Sequence, residues 1–169
     1  MNQRFAAQTT VSTDRSIGEI RATIMRYGGQ AFAQAEGQGK FAIQFQMKDR
    51  FVKFFLPIPN RDDKHYLKDG RGAIRNPEKR FQIWDQECRA RFRALAWSVK
   101  MKLEMVETGI TTFEEEFYAH ILLPGGKTIY EMTHDNVALA YKDGKAPKAL
   151  LAGLECSPPA SRDGGGRPG

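Results

Sequence analysis

The chain has 169 residues, 41% of them hydrophobic and 11% aromatic, which is enough for one domain with a buried core and too apolar for a disordered chain. No run approaches the roughly 18 uninterrupted apolar residues of a membrane span, and the opening MNQRFAAQTTVSTDR lacks an apolar signal core, so a cytoplasmic protein without a membrane partner is expected. The net charge of +6 conceals a division: Lys48 to Lys102 holds 15 Lys or Arg against 7 Asp or Glu, whereas Leu103 to Asp143 holds 2 against 8. A basic segment concentrates polyanions, nucleic acid foremost, and the same numbers describe a solvated basic face.

Residues 1–11 are polar and uncapped and read as a mobile arm. A first helix starts at Ser12 or Thr13, carries Ile17, Ile20, Ile24 and Tyr27 on one face, and ends at Gly28-Gly29. Gln30 to Ala35 and Phe41 to Met47 flank the turn EGQGK, and Phe41, Ile43, Phe45 and Met47 alternate with small or polar residues as in a half-buried strand. After a tight KDR turn, FVKFFLP puts Val52, Phe54 and Leu56 on one face and Phe51, Lys53 and Phe55 on the other; Pro57 and Pro59 end it. The expectation is a three-stranded antiparallel meander.

Asn60 to Arg75 is too polar and Gly-rich for a core element and longer than most connections. Its Lys64, His65, Tyr66, Lys68, Arg71 and Arg75 interleave basic groups with a stacking ring, a composition suited to phosphates and an unpaired base, and equally to a solvated loop.

Asn76 to Gly109 reads as one long amphipathic helix, with Asn76 as N-cap, Pro77 at the first helical position and Gly109 just past the end. Phe81, Trp84, Cys88, Phe92, Leu95, Val99, Leu103 and Val106 form its apolar stripe, expected to lie on the sheet. Arg89, Arg93 and Lys100 fall in one row with Trp97 beside them, roughly opposite the stripe, and Arg80, Arg91 and Lys102 form a second basic row. Cys88, on the stripe, and Cys156, in a polar tail, lack the paired spacing of a zinc site and are expected to be free thiols.

Two shorter helices follow, each announced by a capping-box pattern, Thr112 with Glu115 and Thr128 with Glu131; the second ends near Asp143-Gly144. The fold class is therefore α+β, in three parts: an arm over 1–11, a single domain over 12–144, and a largely disordered tail over 145–169. The order α-β-β-β-α resembles that of double-stranded RNA-binding domains, in topology alone, since the basic helix start those domains set on phosphate is not evident.

TGITTFEEEFYAHILLPGGKTI, with the chain back to the first helix, resembles a family of small uncharacterised proteins encoded by bacteriophages and prophages. The resemblance brings no catalytic residue with it; it implies a setting in a bacterial host cell, in phage DNA metabolism or takeover of the host.

Three constellations invite chemistry and fall short. Pro124-Gly125-Gly126-Lys127-Thr128 ends like a phosphate-binding loop, but Ile121 stands where that loop needs Gly, and helix precedes it where a strand is needed. Glu116 and His120, one helical turn apart, with His134 and Asp135 as remote helpers, supply too few ligands for a metal site. Glu114, Glu115 and Glu116 point about 100° apart and suit the first turn of a helix better than one ion. No nucleophile is placed beside a base, so neither an enzyme nor a cofactor is expected.

The leading expectation is a nucleic-acid-binding protein, DNA favoured, gripping phosphates through Lys64, Lys68, Arg71, Arg75, Arg89, Arg93 and Lys100 while Tyr66 or Trp97 stacks on a base. The alternative is a phage-type inhibitor or adaptor that binds a host protein without catalysis, its segregated charge meeting an oppositely charged partner or a second copy in a homo-oligomer.

Overall fold

A computed structural model describes residues 5–145 and has the expected α+β architecture. In chain order the elements are α1 (Thr13–Arg26), β1 (Gln30–Gly37), β2 (Lys40–Met47), β3 (Arg50–Pro57), α2 (Lys64–Leu67), α3 (Pro77–Glu107), α4 (Phe113–Phe117) with a 3-10 turn over Tyr118–His120, and α5 (Ile129–Asp143). The chain divides into two compact units after Ile129. No helix among the described residues is long and apolar enough to cross a membrane. Residues 1–4 of the expected arm, and the expected tail beyond Lys145 with Cys156, lie outside the described residues.

The helix ends form where their side chains can satisfy free backbone groups. The Ser12 hydroxyl accepts from Arg15 N at 3.2 Å, the Asn76 carbonyl oxygen from Lys79 N at 2.7 Å ahead of Pro77, and Thr112 and Glu115 complete their reciprocal box. At the end of α1 the two glycines have separate tasks. Gly28 holds φ +86°, whereas a Cβ on Gly29 would stand 2.3 Å from Ile24 Cγ2 and 2.9 Å from the Ile24 carbonyl oxygen.

The strands pair antiparallel in the order β1-β2-β3. The β2–β3 turn is made by Lys48 at φ +47° and Asp49 at φ +59°, the two-residue form that suits a twisted hairpin. On the inner face Phe41, Ile43, Phe45, Met47, Val52 and Phe54 are buried. On the outer face the register sets Phe55, Ala42 and Ala35 in one row, Lys53, Gln44 and Ala33 in the next, and Phe51 with Gln46 in a third.

Helices α1 and α3 pack together, and both supply the core that meets the inner sheet face: Ile20 and Ile24 from α1, and Phe92, Ala96, Val99 and Leu103 from α3. Phe41 meets Phe92 edge-on at 4.8 Å between ring centroids, and Phe117 of α4 closes the far end edge-on to Phe45 and Phe54 at 6.1 and 6.2 Å. The sheet thus packs on the helix through the apolar faces expected of both.

Two expectations are corrected. The apolar stripe of α3 is not buried throughout: Phe81 is exposed, Trp84 is half-buried, and Ala96, absent from the predicted stripe, is buried. A helix of 31 residues spans about 46 Å at 1.5 Å per residue, whereas the 8-residue strands reach about 27 Å, so the first turns of α3 run past the sheet. The segment Asn60 to Arg75 is likewise no featureless loop. Its one-turn helix α2 buries Tyr66, and Asp69 accepts from the backbone N–H groups of Arg71 and Ala73, both at 2.9 Å.

Candidate nucleic-acid interface

The expected binding residues separate into three groups once their partners are known. Lys64, Lys68, Arg71 and Lys100 are exposed, and among the described residues none of them makes an ion pair. Each is available to a phosphate.

A second group is consumed by the fold. Tyr66, expected to stack on a base, is 3% exposed and donates its hydroxyl to Glu87 Oε2 at 2.6 Å. Burial, then the Glu87 carboxylate, pushes its phenol well above the ordinary value. Arg75 donates to the carbonyl oxygens of His65, Tyr66 and Lys68, closing the segment on itself. Arg89 pairs with Asp85 at 2.5 Å and Arg93 with Glu19 of α1, so the basic row proposed for this face is largely neutralised. Glu116 of α4 is met by Lys102, at 3.1 Å. In the other basic row Arg91 is held by Glu87 at 2.7 Å and by the Pro57 carbonyl at 2.9 Å.

Trp97 stands between these cases. Its ring is 42% exposed, with the Arg93 guanidinium 5.9 Å and the Lys100 ammonium 5.8 Å from its centroid. Phe5 lies edge-on to it at 5.8 Å, and Gln86 donates to the carbonyls of Ala7 and Thr9 at 3.1 and 2.9 Å. Residues 5–9, expected to be part of a mobile arm, are therefore held against α3.

The structure also assembles a cluster that the sequence did not single out. Trp84 donates its indole N–H to the Pro59 carbonyl at 2.8 Å, tying the exit of β3 to the first turns of α3. That bond places the ring beneath the next cation in the chain, so the Arg61 guanidinium lies 3.8 Å from the Trp84 centroid and 5.5 Å from that of Phe81. Arg80, Pro77 and Asp62 complete the wall of a cavity of about 230 Å³. Among the described residues no carboxylate is within ion-pair distance of Arg61 or Arg80.

No protein family, curated protein or solved structure matches this chain. The chemistry of the cluster therefore stands on its own geometry. Phe81 and Trp84, three residues apart, belong by spacing to the apolar stripe, and the signal that sets them apart is that they precede the part of α3 a short sheet can cover.

Elsewhere the motifs do not converge. The His120 ring lies over Phe54 at 4.0 Å, Glu116 is engaged by Lys102 and Thr111, and among the described residues no three potential metal ligands cluster. Burial, and then the nearby Lys102 charge, hold His120 below its ordinary pKa, so it is neutral at pH 7. Cys88 is buried and free, its thiol pushed up to about 11 by burial first, and so it is a poor nucleophile. A mostly apolar cavity of about 710 Å³ lies along α3, lined by Phe5, Ala7, Ile83, Ala90 and Ala94, with Lys79, Glu87 and Arg91 also on its wall.

Proposed function

We propose that this protein binds nucleic acid, with DNA the favoured partner, through the first turns of α3 and the segment that precedes them. The observation that carries the reading is Arg61 laid on Trp84 beside exposed Phe81 and unpaired Arg80. A guanidinium held on an indole has lost side-chain freedom without losing its N–H edge, so a phosphate meets a donor fork that is already ordered. Exposed Lys64, Lys68 and Arg71 add to the attraction, and the free face of Phe81 suits an unpaired base. The bacteriophage setting belongs to this proposal on the strength of the resemblance over residues 108–129 and back to α1.

The test is a salt titration of binding to labelled single-stranded and duplex DNA and RNA. Arg61→Glu with Arg80→Glu should weaken binding and flatten the dependence of log affinity on log salt by up to about 0.9 per lost contact on duplex DNA and about 0.7 on a single strand. Wild-type protein that binds no nucleic acid at low salt would end the reading.

One observation favours the alternative, a protein-binding inhibitor or adaptor acting on a host protein. The mostly apolar cavity along α3 offers alanines and a phenylalanine to an apolar side chain, with Lys79 on its wall and Arg91 already held by Glu87. Pull-down with Ala90→Glu as the paired control separates this reading from the first.

A further inference from the structure

The outer face of the sheet combines features that its inner face and the helices do not. Phe51 and Phe55 stand on β3 with 42% and 43% of their surface exposed, which is far more than a core aromatic retains. Both point away from the core because their neighbours Val52 and Phe54 are buried on the inner face. Lys53 lies between them on the same face, its ammonium 4.7 Å from the Phe55 centroid. Across the sheet from Phe55 come Ala42 and then Ala35, so on that side a flat group resting on the ring meets methyl groups. Across from Lys53 and Phe51 come Gln44 and Gln46, whose amides can each donate and accept.

The charge of this face selects among occupants. No Asp or Glu occupies any of its three rows, and the strand ends nearest to it contribute exposed Lys40, Lys48 and Arg50 against one exposed carboxylate, Asp49. A second copy placed face to face on a two-fold axis through the patch would set Lys53 against its own counterpart, an arrangement that repels. A polyanion carrying flat apolar rings meets every one of these features.

We infer that the outer sheet face is a stacking platform for unpaired bases of a single-stranded nucleic acid, with Phe51 and Phe55 each taking a base and Lys53 the intervening phosphate. The inference rests on the nucleic-acid reading above and names the form of nucleic acid. In a duplex the faces of the bases are already covered by their neighbours, so two rings on an open sheet discriminate in favour of a single strand. Successive outward rows are about 6.8 Å apart, two residues along a strand, and Phe51 and Phe55 are two such steps apart, so the two rings serve separate bases.

The experiment is anisotropy with a labelled oligothymidylate of about 15 nucleotides and with a labelled hairpin duplex closed by a linker without bases, at two salt concentrations. Phe51→Ala with Phe55→Ala should weaken oligothymidylate binding about 5- to 140-fold for each ring that stacks, leave the hairpin affinity unchanged, and leave the salt slope unchanged because no phosphate contact is lost. Phe51→Leu with Phe55→Leu keeps the apolar bulk and guards against loss of folding, checked by circular dichroism; it should show the same single-strand loss. Phe51→Tyr with Phe55→Tyr should retain binding. Single-strand affinity unchanged in the Leu pair, or lost equally for the hairpin, overturns the inference while leaving the general reading intact. So does a change in sedimentation without a change in single-strand affinity, which would mark the face as a contact between copies. If wild-type protein binds neither probe, the general reading falls and this one with it; binding abolished by Arg61→Glu with Arg80→Glu but not by the Leu pair upholds only the former.

Discussion

Along α3, two stretches of the same phase and similar composition have opposite fates. From Cys88 to Leu103 the inward positions are buried, Phe92 to 5% exposure, by α1 and the inner sheet face. Seven residues before Cys88, Phe81 is 51% exposed, and Trp84 is turned toward a backbone carbonyl and covered by a guanidinium. Periodicity identifies the face a helix offers, but the extent of its partner decides how much of that face is taken. Whatever overhangs is free to become a binding surface.

The sharpest way to break this comparison is to truncate the same side chain in both stretches. Phe92→Ala should cost about 3–5 kcal/mol of stability, since it empties a site where the ring meets Phe41 edge-on. Phe81→Ala should stay within about 0.5 kcal/mol and instead weaken single-strand binding. Urea unfolding of the two variants decides it, and equal costs would mean that the overhang is core after all.

Next in size is Gly29→Ala, at the junction where α1 turns into the sheet. The new methyl would meet Ile24 Cγ2 at 2.3 Å and its rigid backbone oxygen at 2.9 Å, so overpacking should cost about 1–3 kcal/mol. Gly18→Ala in mid-α1, with nothing within 4 Å of its Cβ, should instead stabilise the helix by about 0.5–1 kcal/mol. Thermal melts of the two glycine variants should therefore shift in opposite directions.

The charge-reversed set Arg89→Glu, Arg93→Glu and Lys100→Glu tests which cations belong to which stretch. From the sequence this set should fold normally and lose nucleic-acid affinity. In the structure Arg93 and Arg89 are engaged by Glu19 and Asp85, so reversal sets carboxylate against carboxylate and should lower the melting temperature. The loss of affinity should follow Arg61 and Arg80 instead.

These cases show what was legible. The element order, the three capped helix starts at Ser12, Asn76 and Thr112, and the faces of β2 and β3 follow from local chemistry and period, and they came through. The candidate site did not, because Arg93, Tyr66 and Trp84 depend on partners remote in sequence, whereas Arg89 is taken by Asp85 only four residues away. Arg93 finds Glu19 at a separation of 74 residues, Tyr66 finds Glu87 at 21, and Trp84 finds Pro59 at 25. Periodicity carries no information about such pairings. The exposed pair Phe51 and Phe55 was legible as a face and not as a surface, since only the packing of both helices on the inner side leaves the outer one open.

The packed stretch should also be sensitive to acid through His120. Its ring is stacked on Phe54 in the part of the core closed by α4, where burial and Lys102 hold the folded-state pKa below 6.5. The unfolded chain therefore binds more protons than the folded one as pH falls below 6.5, and stability must decline there. Above 6.5 both states carry a neutral ring and the contribution is flat. His120→Gln should remove the decline that begins near 6.5 and leave only the carboxylate-driven loss at lower pH, a difference read from melting temperatures at pH 7.5, 6 and 5.

The smallest effect expected is at the hairpin, where the turn demands a conformation its residues do not favour. Lys48 and Asp49 both adopt positive φ, and lysine gains nothing there, whereas Asn-Gly is the pair that turn prefers. Lys48→Asn with Asp49→Gly relieves a left-handed lysine, while the added glycine gives back part of the gain through a freer unfolded chain. The net should be about 0.5–1 kcal/mol of added stability, seen as a higher urea midpoint at unchanged slope. A lower midpoint would mean that Lys48, whose ammonium lies 5.9 Å from the centroid of the Phe113 ring, contributes more through that contact than its backbone costs.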